Sequence, residues 1–342
     1  MQRTTLFPMG SAVENQQVSC LWQGKHLLSV SLSGDINYLD IDNPETPLRV
    51  ITGHNKPITC LCLSLDRKRL YTASHDGAVA HWDVSSGVGG KVTGSGHGNQ
   101  VNGMRLSKNG ALLTCGIDDS LRFAQPKAEG EAPSYTEQSV PLGAPPRAMD
   151  QLLDDDITIV ATVKELIILS GGVKRGSLPI KYEPSCVTIN HQNKDVAVGG
   201  DDSKVHIYTL SGFELTPKTE LVHLGAISDA RYSPDCKYLV ACDANRKLIL
   251  YDEEYKLAHN KEWGFHTARV NCVSWSPDGN RVVSGSLDTT LIVWSVSAPA
   301  KHLTVKNAHP QSQITGAVWI DDETIASVGQ DANTRIWNVP NA

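Results

Sequence analysis

Serine, aspartate or asparagine recurs at positions 33, 76, 118, 202, 245, 288 and 331, in steps of 43, 42, 84, 43, 43 and 43 residues. A period in this range means a stack of like supersecondary units, which is a strong constraint on a chain of 342 residues. The doubled step hides one more unit, filled by Ile157-Thr-Ile-Val-Ala-Thr162 and Glu165-Leu-Ile-Ile-Leu169 with little of the marker left. Eight units are therefore legible.

The clearest unit runs Val270-Asn-Cys-Val-Ser-Trp-Ser-Pro-Asp-Gly279, then Arg281-Val-Val-Ser-Gly-Ser286, then Leu287 to Ser295. Apolar residues alternate inside each run, the period-2 signal of a strand. Ser276-Pro-Asp-Gly279 is a turn, since proline presets one φ and glycine permits a positive one. Each unit thus predicts antiparallel strands with tight connections. Units of this length and strand content predict an all-β propeller of four-stranded antiparallel blades.

Two further markers ride on the period. An aromatic residue closes the unit six positions after the turn residue in Asp76/Trp82, Asp202/Tyr208, Asn245/Tyr251, Asp288/Trp294 and Asp331/Trp337. Asp118 has Ala124 there, and Ser33 has Leu39. Gly53-His54, Gly96-His97, Gly264-Phe-His266 and Ala308-His309 precede the turn aspartate by 21 or 22 residues. This combination resembles the WD-repeat family over nearly the whole chain. The resemblance implies a buried chain of histidine, Ser/Thr, aspartate and tryptophan in each blade. His54, Ser74, Asp76 and Trp82 fit it, as do His266, Ser286, Asp288 and Trp294. His309, Asp331 and Trp337 fit with Gly329 at the serine position. His97 and Asp118 fit, but Gly116 and Ala124 interrupt that set.

Polar satisfaction gives the set a physical reason. A buried aspartate is costly unless hydrogen-bonded, and histidine, turn amides and an indole N–H supply the partners. His/Asp/Ser sets repeated once per unit are therefore expected to be structural, since an active site would not recur in every blade. Asp118-Asp119 and Asp201-Asp202 fall at the same turn and are read the same way. Asp154-Asp-Asp156 reads as a hairpin. The stretch Gly87 to His97 lacks the phosphate-loop spacing and is followed by no predicted helix, so it reads as a blade connection. Gln125 to Pro146 reads as an outer strand at most, with a long loop. No catalytic, cofactor-binding or metal-binding residues are expected, and the chain is not expected to be an enzyme.

Composition agrees with a binding platform in a reducing compartment. The net charge of −6, with charges scattered, gives no basic footprint for nucleic acid or an anionic membrane. No apolar run approaches bilayer length, and MQRTTLFPMG lacks the apolar core of a signal peptide. The eight cysteines form no C-x-x-C pair and several lie in strand-like runs such as Ile58 to Leu63, so they read as buried thiols.

A closer resemblance rests on Phe7-Pro-Met-Gly10, Cys20-Leu-Trp22, His26 to Gly34, Ile36-Asn-Tyr-Leu-Asp40, Pro47-Leu-Arg-Val-Ile51, Ser74-His-Asp-Gly77, Val196 to Gly200, Leu239 to Ala244 and Ala317 to Asp321, in that order. These are similar to the actin-interacting protein one family, WD-repeat partners of cofilin. The resemblance implies a non-enzymatic module that supports cofilin-mediated actin filament disassembly, a monomer located in the cytoplasm at the actin cytoskeleton. It also implies two seven-bladed propellers in the whole family member, of which this chain supplies the second and the end of the first. A general WD-repeat scaffold for another cytosolic complex is the alternative. No motif selects the contact residues. Lys56, His75, Lys108 and Arg246 are exposed-loop candidates only.

Ring closure is open at this stage. Thr46 to Ile51 could pair outside the unit ending at Trp337, giving seven blades over 44–342 and leaving 1–43 as the remnant of a preceding blade. Alternatively Thr4 to Phe7 closes the ring and residues 18–40 form an eighth blade. Seven is the expectation.

Overall fold

Alternating apolar runs between turn-forming residues build thirty strands and no helix among the described residues. The computed structural model describes residues 16–23, 26–31, 35–39, 47–51, 53–126, 133–259 and 263–339. The strands make eight antiparallel sheets, numbered here in chain order. Sheet one is β1 (Gln17–Gln23), β2 (His26–Ser31), β3 (Ile36–Leu39) and β4 (Pro47–Ile51). Sheet two is β5 (Ile58–Leu63), β6 (Arg69–Ser74), β7 (Val79–Asp83) and β8 (Gly89–Lys91). Sheet three is β9 (Val101–Leu106), β10 (Leu112–Gly116), β11 (Ser120–Pro126) and β12 (Pro133–Pro141). Sheet four is β13 (Pro146–Leu152), β14 (Ile157–Thr162), β15 (Glu165–Ser170) and β16 (Val173–Pro179). Sheet five is β17 (Pro184–Ile189), β18 (Asp195–Gly200), β19 (Lys204–Ser211) and β20 (Glu214–Val222). Sheet six is β21 (Ile227–Tyr232), β22 (Leu239–Asp243) and β23 (Leu248–Tyr251). Sheet seven is β24 (Val270–Trp275), β25 (Arg281–Ser286), β26 (Leu291–Ser295) and β27 (His302–Val305). Sheet eight is β28 (Ile314–Trp319), β29 (Thr324–Gly329) and β30 (Thr334–Asn338).

Sheets two to eight close into a ring because both faces of each are apolar. Successive strand residues point to opposite faces, so one set packs forward and the other backward. In β14, Ile157, Ile159 and Ala161 join Val187, Val196 and Tyr208 of sheet five. Val160 of the same strand joins Leu113 and Phe123 of sheet three. Residues buried on both faces explain the unbroken apolar run that hid the fourth unit's signature. The last core, between sheets eight and two, holds Ile320 and Ala326 against Leu70, with Leu61, Leu63 and Trp82 packed on it.

Polar bonds repeat from one inner strand to the next. At four junctions of the ring the second residue of an inner strand donates to the carbonyl of the first residue of its neighbour. Thr59 Oγ1 reaches Val101 O at 2.6 Å, Asn102 Nδ2 reaches Pro146 O at 2.7 Å, and Asn271 Nδ2 reaches Ile314 O at 2.8 Å. Thr315 Oγ1 then reaches Ile58 O at 2.7 Å and joins the last sheet to the first of the ring. Between sheets three, four and five, Asp150 accepts from Arg105 Nε at 2.7 Å and from the Ile189 amide at 2.9 Å.

The expected ring-closing strand lies elsewhere. Pro47–Ile51 pairs with β3, placing Ile36 opposite Ile51 and Tyr38 opposite Arg49. Sheet one therefore keeps all four strands although Leu39 stands where other units have an aromatic, and the ring begins at Ile58 rather than near residue 44. The physical reason is that β3 offers a backbone edge close in sequence, and ladder pairing is indifferent to the missing tryptophan. Phe7-Pro-Met-Gly10, the Thr4–Phe7 closure and the Ser33-Gly34 turn lie outside the described residues.

Candidate interaction face at the channel mouth

The predicted histidine, aspartate and tryptophan residues meet, but the hydroxyl between them is a different one. Thr72 Oγ1 lies 2.7 Å from His54 Nε2 and accepts from Trp82 Nε1 at 2.8 Å. Ser284 holds His266 and Trp294 at 2.8 Å each, and Ser327 holds His309 and Trp337 at 2.8 Å each. Ser74 and Ser286, expected in this role, are one strand repeat too far away. Trp82 sits opposite Leu70 in the ladder. Thr72 is then about 7 Å along the strand and Ser74 about 13 Å, beyond an indole's reach. Ser74 Oγ donates instead to Lys56 O at 3.2 Å, and Ser286 Oγ to Arg269 O at 2.8 Å.

The aspartates complete three of the four sets. His97, His266 and His309 place Nδ1 within 2.8, 3.0 and 2.8 Å of Asp118, Asp288 and Asp331. Asp76 accepts from the Ala78 amide at 3.0 Å and makes no hydrogen bond to His54. Gly329 interrupts nothing, because Ser327 supplies the hydroxyl. A Cβ at Gly329 would fall 2.7 Å from His309 Nδ1, so the histidine itself requires the glycine.

Two sets are repaired in ways the sequence markers missed. Ala124 leaves room for Tyr135, its ladder partner, whose hydroxyl lies 3.2 Å from Thr114 Oγ1, and Thr114 lies 2.9 Å from His97 Nε2. In sheet six the carboxylate has moved from Asn245 to Asp243, which is fully buried and lies 3.3 Å from His223 Nδ1. Ala241 carries no hydroxyl, and Tyr251 OH reaches His223 Nε2 directly at 3.1 Å. Sheet five departs further. Tyr182 stacks on His206 at 3.9 Å and its hydroxyl lies 2.9 Å from that of Tyr208.

These bonds assign protons. Burial pushes His54, His97 and His309 below the ordinary histidine value. Burial, the largest single influence, works to raise the carboxyls of Asp118, Asp288 and Asp331, but the histidine hydrogen bond together with the neighbouring hydroxyl, amide and charged groups outweighs it and leaves all three below the usual range. At His97 and His309 a neutral imidazole therefore donates Nδ1–H to an ionised aspartate and accepts at Nε2 from the hydroxyl. With both ring nitrogens engaged and their side chains shut off from solvent, His97, His266 and His309 are committed to holding turns. Burial likewise pushes the Cys60, Cys186 and Cys272 thiols up to about 12. Among the described residues no group of His, Cys, Asp and Glu is arranged to hold a metal, and no helix is long and apolar enough to cross a membrane.

What the pinned turns present is a ring of seven residue pairs around the channel mouth. In each, the amide after the second strand donates to the carbonyl just before the first. The pairs are His75/Pro57, Ile117/Gln100, Val163/Pro145, Asp201/Glu183, Ala244/Ala226, Leu287/Arg269 and Gln330/Gln313, at 2.8–3.1 Å. Strand alternation puts all of them at one end of the ring. The turns at the other end are bonded to one another: Lys108 to Asp154 at 3.6 Å, Lys194 to Asp155 at 2.5 Å, and the Asp278 amide to Asp322 at 3.0 Å. At the mouth, His75, Ile117, Asp201, Ala244, Leu287 and Gln330 are all exposed. Of the four exposed-loop candidates, His75, Lys56 and Arg246 lie at this end and Lys108 lies at the opposite one. The mouth is chemically uneven, with an acidic station at Glu183/Asp201 and a cationic, apolar one at Arg269/Leu287. A central cavity of about 600 Å³ lies beneath it.

The WD domain, G-beta repeat family matches residues 45–83, 90–123, 216–252 and 259–295. The matches at 90–123 and 216–252 each begin on the outer strand of one sheet and end with the third strand of the next. Actin-interacting protein 1 of Drosophila melanogaster is 58% identical over 336 residues, 98% of this chain and 54% of the relative. Actin-interacting protein 1 of Caenorhabditis elegans is 38% identical over 97% of the chain, and WD repeat-containing protein 1-B of Xenopus laevis 36% identical over 98%. The chain spans about half the length of these relatives, 54% to 55%. Four stretches of the chain carry WD, G-beta repeats, and along nearly its whole length it is similar to about half of actin-interacting protein 1.

Proposed function

We propose that this chain is a non-enzymatic actin-regulatory binding module that supports cofilin-mediated disassembly of actin filaments. The observation that carries the reading is the 58% identity to an actin-interacting protein over 98% of the chain. The mouth of the ring is the surface assigned to partner contact, because its exposed side chains are mounted on turns fixed by buried hydrogen bonds. In this reading the chain works as a monomer in the cytoplasm, at the actin cytoskeleton, with no nucleic acid or membrane partner and no cofactor. The ring is the binding domain, and sheet one is a four-stranded blade outside it. Val18, Leu21 and Trp22, each 57% or more exposed, support that division, since such side chains in a propeller pack against a neighbouring blade.

Co-sedimentation with filaments, with and without cofilin, tests the proposal. Enrichment in the pellet with cofilin, together with faster loss of filaments, is expected. No pelleting and no change in filament lifetime would overturn it for this chain. The span of about half the relatives' length favours one other reading, a WD-repeat scaffold for a different cytosolic complex. Recovery of a defined non-actin complex from cytosol, with no actin, would favour that second reading.

A further inference from the structure

The residues beside the marker histidine differ around the ring. Gly53 and Asn55 flank His54, Gly96 and Gly98 flank His97, and Ala308 and Pro310 flank His309. Sheets six and seven depart from this. Val222 and Leu224 flank His223, and Phe265 precedes His266. These three side chains are 72%, 77% and 59% exposed. The fold does not call for their size, since the glycines beside His97 leave both of its ring hydrogen bonds intact. Phe265 gains some support from the His302 ring, 4.1 Å away, and still faces water.

The three lie on one arc. Gly225, next to Leu224, abuts Asn245, where an added Cβ would fall 3.0 Å from the amide nitrogen. Gly264, next to Phe265, abuts Lys247, where an added Cβ would fall 3.3 Å from Cδ. The turn of residues 243–247 therefore sits between Leu224 and Phe265. Leu287 and Arg269 continue the arc in sheet seven, tied by the bond from the Leu287 amide to Arg269 O at 3.0 Å. Exposed apolar residues gathered in this way and rimmed by charge mark a contact surface.

Charge decides what the surface takes. Arg246 and Arg269 are exposed among the apolar residues. The carboxylates of the same turns are turned inward. Asp243 faces His223 and Asp288 faces His266, with side chains 1% and 7% exposed. Glu220, two residues before Val222, is paired with Lys204 at 2.6 Å. Among the described residues the solvent face of the arc is apolar and cationic.

We propose that this arc of sheets six and seven is the docking site for an acidic protein segment that carries apolar side chains beside its carboxylates. The inference rests on the assignment of the mouth to partner contact and narrows it to two of the seven ring sheets. Apolar side chains of the segment cover Leu224 and Phe265. Its carboxylates meet the two guanidinium groups, which bind such anions through paired N–H donors. Aromatic and arginine side chains are the residue types that anchor protein interfaces. A polyanion without apolar groups would leave Leu224 and Phe265 in water, and a basic segment would meet like charge.

A random peptide library displayed on phage, selected on the intact chain, reads this chemistry without assuming a partner. The selected peptides are then measured by fluorescence anisotropy against three variants. Leu224→Ser with Phe265→Ser removes the apolar part of the arc, Arg246→Glu reverses its charge, and Ile117→Asp alters the mouth at sheet three. Peptides that join Asp or Glu to Leu, Ile or Phe are the expected result. They should bind about tenfold more weakly to the first two variants, normally to the third, and more weakly as salt is added. Arc-dependent peptides that are basic, or acidic without apolar residues, would overturn the proposal. So would a selection that yields no peptide dependent on the arc. Arg246→Glu, on an exposed turn, keeps the test decisive should the double variant fold poorly. Failure here is separable from failure of the actin reading. Normal pelleting of Arg246→Glu and of the double variant with filaments and cofilin would remove the arc and leave that reading standing. Arc-dependent acidic peptides on a chain that does not pellet would do the reverse.

Discussion

Thr315 Oγ1 donates to the Ile58 carbonyl at 2.7 Å, although 257 positions separate the two residues. The same bond joins Thr59 to Val101 at 2.6 Å between sheets adjacent in the chain. Ring closure thus uses the chemistry of three other junctions, not a special device. Thr315→Val and Thr59→Val should each lower stability by about 1 kcal/mol, the net worth of one hydrogen bond. Urea unfolding monitored by tryptophan fluorescence measures both. A cost at Thr59 with none at Thr315 would mean that sheets eight and two are not joined in solution.

The hydroxyl four residues before the turn aspartate, not the one two before it, holds histidine to indole. Thr72→Ala strands His54 Nε2 and Trp82 Nε1 and should cost about 2–3 kcal/mol, whereas Ser74→Ala loses one bond to Lys56 O and should cost about 1 kcal/mol. Equal losses, or the reverse order, would restore Ser74 to the central role. Asp288→Ala belongs to the larger class, since it frees His266, the Thr267 amide and Thr290.

Acid should destabilise the ring in two stages. The buried histidines 54, 97 and 309 have depressed values in the folded state. Their contribution is full above the unfolded value of about 6.5 and is lost as pH falls below it. Asp118, Asp288 and Asp331 are also depressed, so their contribution holds above about 4 and is lost below. Melting temperature should therefore fall between pH 7 and 5 and fall again below pH 4. His309→Asn should flatten the first step and Asp288→Asn the second. A flat profile from pH 7 to 5 would contradict the neutral, buried histidines.

Cysteine chemistry offers a count. Cys20 is exposed, while Cys62, Cys115, Cys186, Cys236, Cys242 and Cys272 are buried and Cys60 is intermediate. Burial also pushes the Cys60 thiol up to about 12, which withholds the reactive thiolate. A thiol reagent at pH 8 should modify Cys20 alone in the native protein and all eight cysteines in denaturant. Rapid native modification at Cys186 or Cys272 would show that the sheets open on that timescale.

Much of this fold was legible because strand alternation and turn chemistry are local. The 43-residue step placed the turns, and the hidden unit at Ile157–Leu169 fell where the step required. What failed depended on distances across strands. Ser74 and Thr72 share one face of β6, and only ladder register decides which meets Trp82. Tyr135 could not be read as a substitute for Trp82's counterpart at Ala124, because it arrives from the next strand. Asp243 escaped the marker by moving two residues, a shift that keeps the same face of the strand and the same histidine. Pro47–Ile51 was expected outside the unit ending at Trp337 and pairs with β3 instead, a choice between two strand edges that local pattern does not encode.

The mouth of the ring carries the last prediction. Ile117 and Leu287 are 37% and 49% exposed at equivalent stations, each held by one backbone bond that any side chain preserves. Replacing them should leave stability within about 0.5 kcal/mol of wild type, as for surface sites without special contacts. If the mouth receives the filament partner, Ile117→Asp combined with Leu287→Asp should weaken co-sedimentation at least tenfold, about 1.4 kcal/mol. Leu65→Asp, 54% exposed at the opposite end of the ring, serves as the control and should bind normally. Paired melting and pelleting assays separate the effects. Loss of binding in the Leu65 variant with normal binding in the mouth variant would move the contact to the opposite face, where the turns are bonded to one another.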